Sequence, residues 1–561
     1  MIKAPAYLIY CLLSSTILLF TQCSKSDSGD PAPTPNPTAL MVTKSSFDNV
    51  PALGSTNYNI DPTPEIRLSF NNKLDRATVS AAISINKIGG GNLSLNYSYE
   101  NNDSTIVITP LGAIEYLTRY NLKANTNLKS VQQRNLNTEL NISFVTKIDS
   151  SDKFPQISDD ALLTLVQQQT FKYFWDFAHP VSGLARERNT SGETVTSGGS
   201  GFGIMTIPVA INRTFITRAQ GLARMQTIVG FLKNTAQKFH GAFPHWLNGT
   251  TGAVIPFSTK DNGADLVETA YLMQGLITAR QYFNGADPAE TALRNDINIL
   301  WNGVEWNWFR QGTQNVLYWH WSPNYNWEMN VPIRGWNECL ITYVMAAAST
   351  TYPIPRIVYD NGWAQNGAMA NNNNYYGYNL PLGPAYGGPL FLAHYSFLGI
   401  NPNQLVDPYA NYFTQNKNHS LINYSYCVAN PQSNFGYSNL CWGLTASDIE
   451  GGYTASSPTN DAATIAPTAA LSSFPYTPTE SMNALKFFYY KLGNKLWSTY
   501  GFVDAFSLKG PWFATSTLAI DQGPIIIMIE NYRTGLLWNL FTSAPEVKAG
   551  MLSLGFTAPY L

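Results

Sequence analysis

A chain of 561 residues favours two domains with flanking segments over one core. Charged residues make up only 12% of it, aromatic residues make up 13%, and the formal net charge is −2. A surface with so little charge and no basic excess suits neutral polar partners and argues against nucleic acid.

The N-terminal stretch "MIKAPAYLIYCLLSSTILLFTQC" contains one lysine, an apolar run and a final cysteine, Cys23. The apolar run is too short for a transmembrane span and has the length of a signal peptide. Its end on Cys23 resembles a bacterial lipoprotein signal, in which this cysteine is lipidated; the alternative is a plain secretory signal. We expect a signal peptide over residues 1–22, a Pro-rich linker over 23–40, and an outer membrane-anchored lipoprotein at the cell surface or in the periplasm.

Residues 41–149 contain short alternating runs such as "EIRLSF", "STIVITP" and "LNISFVT", separated by turn residues. This pattern predicts an all-β sandwich, and it resembles the bacterial Ig-like domains found ahead of secreted enzymes. The region has no cluster of acids that would indicate catalysis, so we expect it to act as a spacer.

From residue 150 to residue 561 the hydrophobic period becomes helical, first in "DALLTLVQQQTFKYFWDFA" with Asp159 as the expected N-cap. Long Gly-, Asn- and Trp-rich connections separate the helical stretches, which is unusual for a helical bundle. A mostly α fold, an (α/α)₆ barrel with a cleft built by the loops at one end, accounts for both features.

Cysteine and histidine patterns do not predict a metal or a cofactor. Cys339, Cys427 and Cys441 have no C-x-x-C spacing, and the six histidines of the chain form no H-E-x-x-H motif.

The stretch "DNGADLVET" places Asp261, Asp265 and Glu268 at offsets of four and three, which on a helix share one face. Two interpretations remain open. Asp265 and Glu268 can form a capping box, with residues 261–263 as the preceding turn. The acids can also bind sugar hydroxyls or carry out catalysis, and only this second interpretation explains Asp261.

A second candidate is Glu338, in "IRGWNEC". A glutamate early in a helix is often there for the helix dipole. Its apolar neighbours can instead raise its pKa and make it a proton donor, which glycoside hydrolysis requires together with a second carboxylate. Because a salt bridge would lower that pKa, we expect Arg334 to point at substrate or at another acid.

Aromatic residues are concentrated in "WNGVEWNWFRQGTQNVLYWHWSPNYNW", as in the floor of a carbohydrate groove, although about half of them are expected to pack in the core. Trp319, His320 and Trp321 are its candidate substrate-binding residues. In the C-terminal helix "AIDQGPIIIMIENYRTGLLW", Glu530 is expected to be structural and paired with Arg533.

Five motifs together resemble the bacterial endo-β-1,2-glucanase family, whose members were long labelled "putative glucoamylases". They are "DNGADLVETAYLMQGL", "PIRGWNEC", "GPLFLAHYSFLGI", "WGLTASD" and "IDQGPIIIMIENYRTGLLW", in the order of the family and spread over most of residues 162–561. The resemblance implies an (α/α)₆ barrel that hydrolyses linear β-1,2-glucan to sophorose and short sophorooligosaccharides, by inversion and without a metal.

The resemblance also implies which acids lie in the cleft: Asp261, Asp265, Glu268 and Glu338. We expect Glu338 to be the acid and Asp265 or Asp261 to be the base, with Asp448 in reserve. The remaining substrate-binding candidates are Glu268, Arg334, Trp336, Asp448 and Trp442. The alternatives are an exo-acting or other-linkage hydrolase and a catalytically inactive surface glycan-binding lipoprotein. We expect a monomer whose partners are a β-glucan and, through Cys23, the membrane.

Overall fold

A computed structural model describes residues 39–561. The predicted signal peptide, Cys23 and nearly all of the predicted linker lie outside these residues. The chain forms two compact units, divided between Asp149 and Ser150. Within the described residues, no helix is long and apolar enough to cross a membrane.

The N-terminal unit is a sandwich of two sheets. Its elements are β1 (Val42–Phe47), β2 (Val50–Pro51), β3 (Asn57–Ile60), β4 (Ile66–Phe70), α1 (Arg76–Ala82), β5 (Ile83–Lys87), β6 (Leu95–Glu100), β7 (Thr105–Pro110), β8 (Arg119–Ala124) and β9 (Leu140–Thr146). One sheet has the order β2-β1-β4-β7-β6, and the other has the order β3-β9-β8-β5. All pairs are antiparallel except β3 with β9.

Alternation in β4 directs Ile66, Leu68 and Phe70 into a core that they share with Leu122 and Phe144 of the second sheet. The expectation of an all-β unit misses α1. The side chain of Asp75 caps this short helix by accepting a hydrogen bond from the backbone N–H of Ala77.

The C-terminal unit is mainly helical. Its helices are α2 (Asp159–Trp175), α3 (Ser197–Asn212), α4 (Arg218–Asn234), α5 (Leu266–Tyr282), α6 (Pro288–Asn302), α7 (Leu340–Ala348), α8 (Arg356–Val358), α9 (Tyr412–Ala429), α10 (Pro467–Leu471), α11 (Pro478–Lys486), α12 (Gly493–Leu496), α13 (Ala519–Thr534), α14 (Leu536–Thr542) and α15 (Pro545–Leu554). Short 3₁₀ or π turns lie at Trp306–Arg310, Tyr359–Trp363, Gln365–Gly367, Ala385–Gly387, Leu390–Ala393, Ser396–Leu398 and Phe487–Lys491.

Short antiparallel ladders decorate the connections of this unit. They are formed by β10 (Thr194–Thr196), β11 (Trp246–Asn248), β12 (Val254–Ile255), β13 (Ala264–Asp265), β14 (His320–Trp321), β15 (Ala370–Tyr375), β16 (Tyr378–Leu382), β17 (Ala446–Ile449), β18 (Gly452–Ala455), β19 (Trp497–Ser498), β20 (Gly501–Phe502), β21 (Phe506–Ser507) and β22 (Trp512–Phe513).

Helices α3, α5 and α13 are buried over most of their length, and α3 packs against both α5 and α13. Glycine allows α3 and α5 to approach closely, because a Cβ on Gly201 would lie 2.2 Å from the carbonyl oxygen of Tyr271. The first helix, α2, begins as its pattern predicts, but its N-cap is Ser158 and not Asp159.

Connections of two lengths alternate along this unit. Those leading into α3, α5 and α7 are long, and those following them are short; the long ones are residues 176–196, 235–265 and 303–339, and the short ones are 213–217, 283–287 and 349–355. The N-terminal ends of the buried helices therefore carry most of the irregular chain.

Candidate active site

The N-terminal ends of several buried helices converge. Glu268, in the first turn of α5, accepts a hydrogen bond from the backbone N–H of Gly198 at the start of α3, at 2.8 Å. A Cβ on Gly199 would lie 2.8 Å from the Cβ of Ala519, the first residue of α13. The hydroxyl of Thr468, in α10, donates to the carbonyl of Asp521 in α13. The acids predicted from the sequence lie at this convergent end.

Asp265 is the N-cap of α5 and is fully buried. Its Oδ1 accepts the backbone N–H groups of Val267 and Glu268, at 3.0 and 2.9 Å. Its Oδ2 lies 3.0 Å from Nδ1 of His245. Burial alone would raise its pKa, but the hydrogen bond with His245 holds the pKa of Asp265 below its usual value. The predicted cap is confirmed.

Glu268 does not complete a capping box, because its carboxylate turns away from Asp265 towards α3. Besides Gly198 it lies 3.4 Å from the hydroxyl of Thr196. Burial raises the pKa of Glu268, against the opposing charge of His245. It links α3 and α5 at the base of the acid cluster.

Asp261 is not on the same helical face as the other two acids, because α5 begins only at Leu266. A turn between Ser258 and Asp261 and the ladder of β13 with β14 bring it to the cluster instead. Asp261 is 4% exposed, and its Oδ1 has no hydrogen-bond partner among the described residues. Burial and then the charge of Asp265 raise the pKa of Asp261 to about 7.

Two histidines complete this cluster. Burial alone would lower the pKa of His245, but Glu268 and Asp265 outweigh it and raise the pKa to about 9. Nε2 of His320, which lies opposite Asp265 in the β13–β14 ladder, is 3.4 Å from Asp261 and 3.6 Å from Asp265. Burial lowers the pKa of His320 to about 4, so this ring is neutral at pH 7.

Glu338 lies two residues before α7 and is partly buried. Its backbone carbonyl accepts the hydroxyl of Ser396 at 2.5 Å and that of Tyr271 at 3.4 Å, which fixes its position. Burial raises the pKa of Glu338 to about 7, with further contributions from Glu268 and Asp265. Arg334 is exposed and makes no ion pair within residues 39–561. Glu338 therefore has no salt bridge with Arg334 that would lower its pKa.

Two groups of partly exposed aromatic rings lie near the acids. In the first, Phe257 is 50% exposed and its ring centroid lies 4.3 Å from that of His245. In the second, which adjoins His320 in the chain, the ring of His240 stands edge-on to Trp321 and stacks on Trp308 at 4.0 Å. Trp308 is 39% exposed, which is high for tryptophan. Trp319 is half-buried and stacks beside His320.

Two tryptophans predicted to bind substrate are buried. Trp442 is fully buried, and its indole N–H donates to the carbonyl of Glu480 at 3.2 Å, so its ring cannot face a ligand. The expectation for Trp442 is therefore wrong, because its burial was not visible in the motif. Trp336 is 6% exposed and stacks on Phe397 and Tyr412, and its indole N–H has no hydrogen-bond partner among the described residues, so its role in substrate binding stays a prediction.

A second acid cluster surrounds Asp448. Its carboxylate lies 3.2 Å from Nη1 of Arg188, and its backbone N–H donates to Asp504 at 2.7 Å. Burial raises the pKa of Asp504 to about 7. Burial and the neighbouring Asp504 raise the pKa of Asp521 well above its usual range. The sequence did not single out Asp504, because it stands alone in "GFVDAF" without a motif.

One buried tyrosine, Tyr395, lies near both acid clusters. Besides burial, the charges of Asp521 and Glu338 both help to raise the pKa of Tyr395, so this tyrosine lies within electrostatic reach of both clusters. Tyr453 interacts with Asp521 and Asp504 and is 49% exposed.

One group of donors has the composition of a metal site. His245, Asp261 and Asp265 each offer an atom, and these atoms lie within 4.8 Å of one another. The sequence missed it because His245 lies 16 residues before Asp261, outside any motif, and only the fold brings it to the two carboxylates.

Buried carboxylic acids of raised pKa, an aspartate whose pKa is lowered by a histidine, and neighbouring exposed aromatic rings define the active site of a glycoside hydrolase.

Comparison with known proteins identifies the family within this class. Residues 330–545 match the family model described as "Putative glucoamylase", and residues 38–146 match "Bacterial Ig-like domain". A solved structure of a putative glucoamylase from Bacteroides uniformis is 56% identical, covering 73% of this chain and 100% of that one, with a TM-score of 0.72.

The endo-β-1,2-glucanase of Chitinophaga pinensis, solved with sophorotriose and glucose, is 52% identical over 72% of this chain and 100% of its own, with a TM-score of 0.71. An exo β-1,2-glucooligosaccharide sophorohydrolase (non-reducing end) from Parabacteroides distasonis is 46% identical over 435 residues, 73% of this chain. The chain spans 60% of the length of that curated relative. This chain belongs to the bacterial β-1,2-glucanase family of glycoside hydrolases.

Proposed function

We propose that this protein cleaves linear β-1,2-glucan to sophorose and short sophorooligosaccharides. The observation that carries the proposal is Glu338, a carboxylic acid whose pKa is raised to about 7 at the convergent helix ends. A group of that pKa is still partly protonated at neutral pH and donates a proton to the leaving glycosidic oxygen. The activities named for the relatives from Chitinophaga and Parabacteroides supply the linkage.

The helical unit is proposed to be an (α/α)₆ barrel, with α3, α5, α7, α10, α13 and the turns at Leu390–Leu398 as the inner ring. The alternation of long and short connections supports this arrangement, because each long connection then leads into an inner helix at the same end. The acids of the cleft lie at the end of the barrel where the inner helices begin.

Asp261 is proposed as the base that activates water in an inverting reaction. Asp265 is less suited, because one of its oxygens accepts two backbone N–H groups and the other is bound by His245. Oδ1 of Asp261 has no partner among residues 39–561, and the pKa of Asp261 is about 7, close to the ideal for a base at neutral pH. Inversion requires this oxygen to lie about 6.5–9.5 Å from the carboxyl group of Glu338 in the substrate complex.

Sugar binding is assigned to the partly exposed rings beside the acids. Trp319, Trp321 and His320 contact the glucose units near the acids, Phe257 and Trp308 contact units farther along the chain, and Arg334 and Glu268 position hydroxyl groups. Asp448, which pairs with Arg188 in the second acid cluster, is also assigned to hydroxyl binding. Two groups of exposed aromatic faces near the acids suit a glucan that extends beyond them.

The products of early digestion test the proposal. Purified protein is incubated with linear β-1,2-glucan, and linear β-1,3-glucan serves as the control. A ladder of sophorooligosaccharides in the first minutes indicates an endo mode, whereas sophorose alone from the outset indicates the exo mode named for the Parabacteroides relative. Tight binding without any product would indicate a surface glycan-binding protein and contradict the proposal.

The cellular context is also a proposal: a monomeric lipoprotein anchored in the outer membrane through Cys23, with the Ig-like unit as a spacer. Membrane fractionation of Cys23→Ala tests the anchor, because an unaltered membrane fraction contradicts it. A chain that starts at Ser150 tests the spacer, because a folded but inactive product would show that the Ig-like unit contributes to the site.

A further inference from the structure

His245, Asp261 and Asp265 each offer one candidate metal-ligand atom near the start of α5. Asp265 and Asp261 are 0% and 4% exposed, and Glu268 is buried beside them. A buried group of carboxylates favours either protonation or a bound cation.

The donor atoms in this cluster lie close enough together for a small ion. Nδ1 of His245 and Oδ2 of Asp265 are 3.0 Å apart and share a hydrogen bond, whose proton the ion replaces. An oxygen of Asp261 lies within 4.8 Å of both donors. Two ligands of a tetrahedral ion with bonds of about 2.0–2.1 Å are separated by about 3.3–3.4 Å. Rotation of the Asp261 side chain towards the other two donors therefore brings three ligands to one centre.

Asp261 supplies a second, independent observation that points to a ligand. Its side chain is 3% exposed, and Oδ1 accepts no hydrogen bond from any described residue. Nε2 of His320 lies 3.4 and 3.6 Å from the two aspartates, which is too long for good hydrogen bonds. The lone pairs of Asp261 thus remain available inside a buried site.

The rest of the cluster fixes the ligands as metal sites require. Two backbone N–H groups orient Asp265, and the ring of Phe257 covers the imidazole of His245. Such outer contacts are what set ligand orientation and raise affinity.

We propose that His245, Asp261 and Asp265 bind one divalent transition-metal ion of the Zn²⁺ type, with water in the remaining position. Imidazole with carboxylates selects Zn²⁺ over the hard ions Mg²⁺ and Ca²⁺, which take oxygen ligands only. Because the ion occupies Asp261, it inhibits hydrolysis; this consequence rests on the proposed function, whereas the binding itself does not.

Titration calorimetry on the chelator-treated, desalted protein tests the binding. We expect one Zn²⁺ per chain, at least a tenfold loss of affinity in His245→Gln and in Asp261→Asn, and no binding of Ca²⁺ at the same concentrations. His240→Gln is the matched control, because His240 is a partly exposed histidine of the same connection that pairs with Glu305 outside the cluster. Co²⁺ should give the visible absorption of a tetrahedral complex in the wild type and in His240→Gln.

Circular dichroism confirms that each variant is folded before it is titrated. Three results would contradict the proposed metal site: no binding of Zn²⁺, equal affinity for Zn²⁺ in the wild type and all three variants, or tighter binding of Ca²⁺ than of Zn²⁺. Hydrolysis of β-1,2-glucan is then measured with Zn²⁺ and after addition of EDTA. If Zn²⁺ binds at the cluster but does not inhibit hydrolysis reversibly, the inhibitory role alone is wrong. If the protein hydrolyses no β-1,2-glucan even without Zn²⁺, the proposed function is wrong, and the result on Zn²⁺ binding still stands.

Discussion

Two buried acids in the helical unit, Glu530 and Asp261, have opposite surroundings. Glu530, near the end of α13, is fully buried and accepts two hydrogen bonds from Arg213, one from Gln167 and one from Thr534. Asp261 is almost as deeply buried, yet its Oδ1 has no partner among the described residues, and the acids Asp265 and Glu268 lie near it. Burial alone therefore does not separate a structural acid from a functional one, whereas the completeness of its hydrogen bonding does.

This difference follows from where each acid lies along the buried helices. Glu530 is in the last turns of α13, where short connections leave room only for side chains of neighbouring helices. Asp261 lies in a long connection that enters α5, where the chain folds back over the helix start. The same low dielectric stabilises the first acid through its cation and raises the pKa of the second.

The largest expected effect is on Glu338. We expect Glu338→Gln to fold normally, to bind sophorooligosaccharides and to lose about 10²–10⁴-fold in turnover, because it removes the proton donor. In the wild type, kcat/KM should fall as the pH rises through about 7, since Glu338 must be protonated. Initial rates against pH measure both effects, and a variant with more than about a tenth of the wild-type rate would contradict the assignment.

A loss of similar or smaller size is expected at Asp261 and Asp265. Asp261→Asn removes the proposed base and should lose about 10²-fold or more. Asp265→Asn keeps an N-cap of equal quality but loses the ion pair with His245, so a loss of at least about tenfold is expected without unfolding. Turnover close to that of the wild type in both variants would show that Asp261 and Asp265 have a structural role only.

The variant Asp261→Asn also tests how the stability of the folded protein depends on pH. The pKa of Asp261 is raised from 3.8 to about 7 in the folded protein, so the folded state binds more protons than the unfolded state between these values. Wild-type stability should therefore fall as the pH rises from about 4 to about 7. The free energy of unfolding of Asp261→Asn, measured with urea, should decrease less than that of the wild type between these pH values, and Asp265→Asn is the control. An equal decrease in Asp261→Asn and the wild type would contradict a raised pKa at Asp261.

Sequence reasoning predicted much of this arrangement. Helical periodicity located α2, the alternating runs located the strands of the N-terminal sandwich, and the D-x-x-E pattern located the cap at Asp265. The spatial partners were not predictable, because they come from distant segments. Arg533, expected to pair with Glu530, reaches Asp160 and Gln167 of α2, while Arg213 from the end of α3 takes its place.

A smaller effect is expected at Trp308, which belongs to the groove but not to the acids. Aromatic contacts of this kind contribute about 0.5–1.5 kcal/mol beyond area burial. Trp308→Ala should therefore raise KM for long β-1,2-glucan by about two- to tenfold and leave kcat nearly unchanged. Leu111→Ala, which removes an exposed apolar side chain from the N-terminal unit, is the control. An unchanged KM would show that glucan does not reach this ring.

The smallest effect on rate is expected at the structural acid. Arg213→Met leaves Glu530 buried beside Gln167 and Thr534 without its cation, which should cost roughly 3 kcal/mol in free energy of unfolding. Turnover per folded molecule should stay close to that of the wild type, because this ion pair lies near the end of α13 farthest from Asp521. The double variant Arg213→Met with Glu530→Met removes both charges and should regain much of the lost stability, since an apolar pair of similar volume replaces them. Urea unfolding and rates below the transition measure both quantities. A loss of turnover in Arg213→Met without a loss of stability would contradict the comparison. Complete hydrogen bonding would then not distinguish the structural acid Glu530 from the catalytic acids.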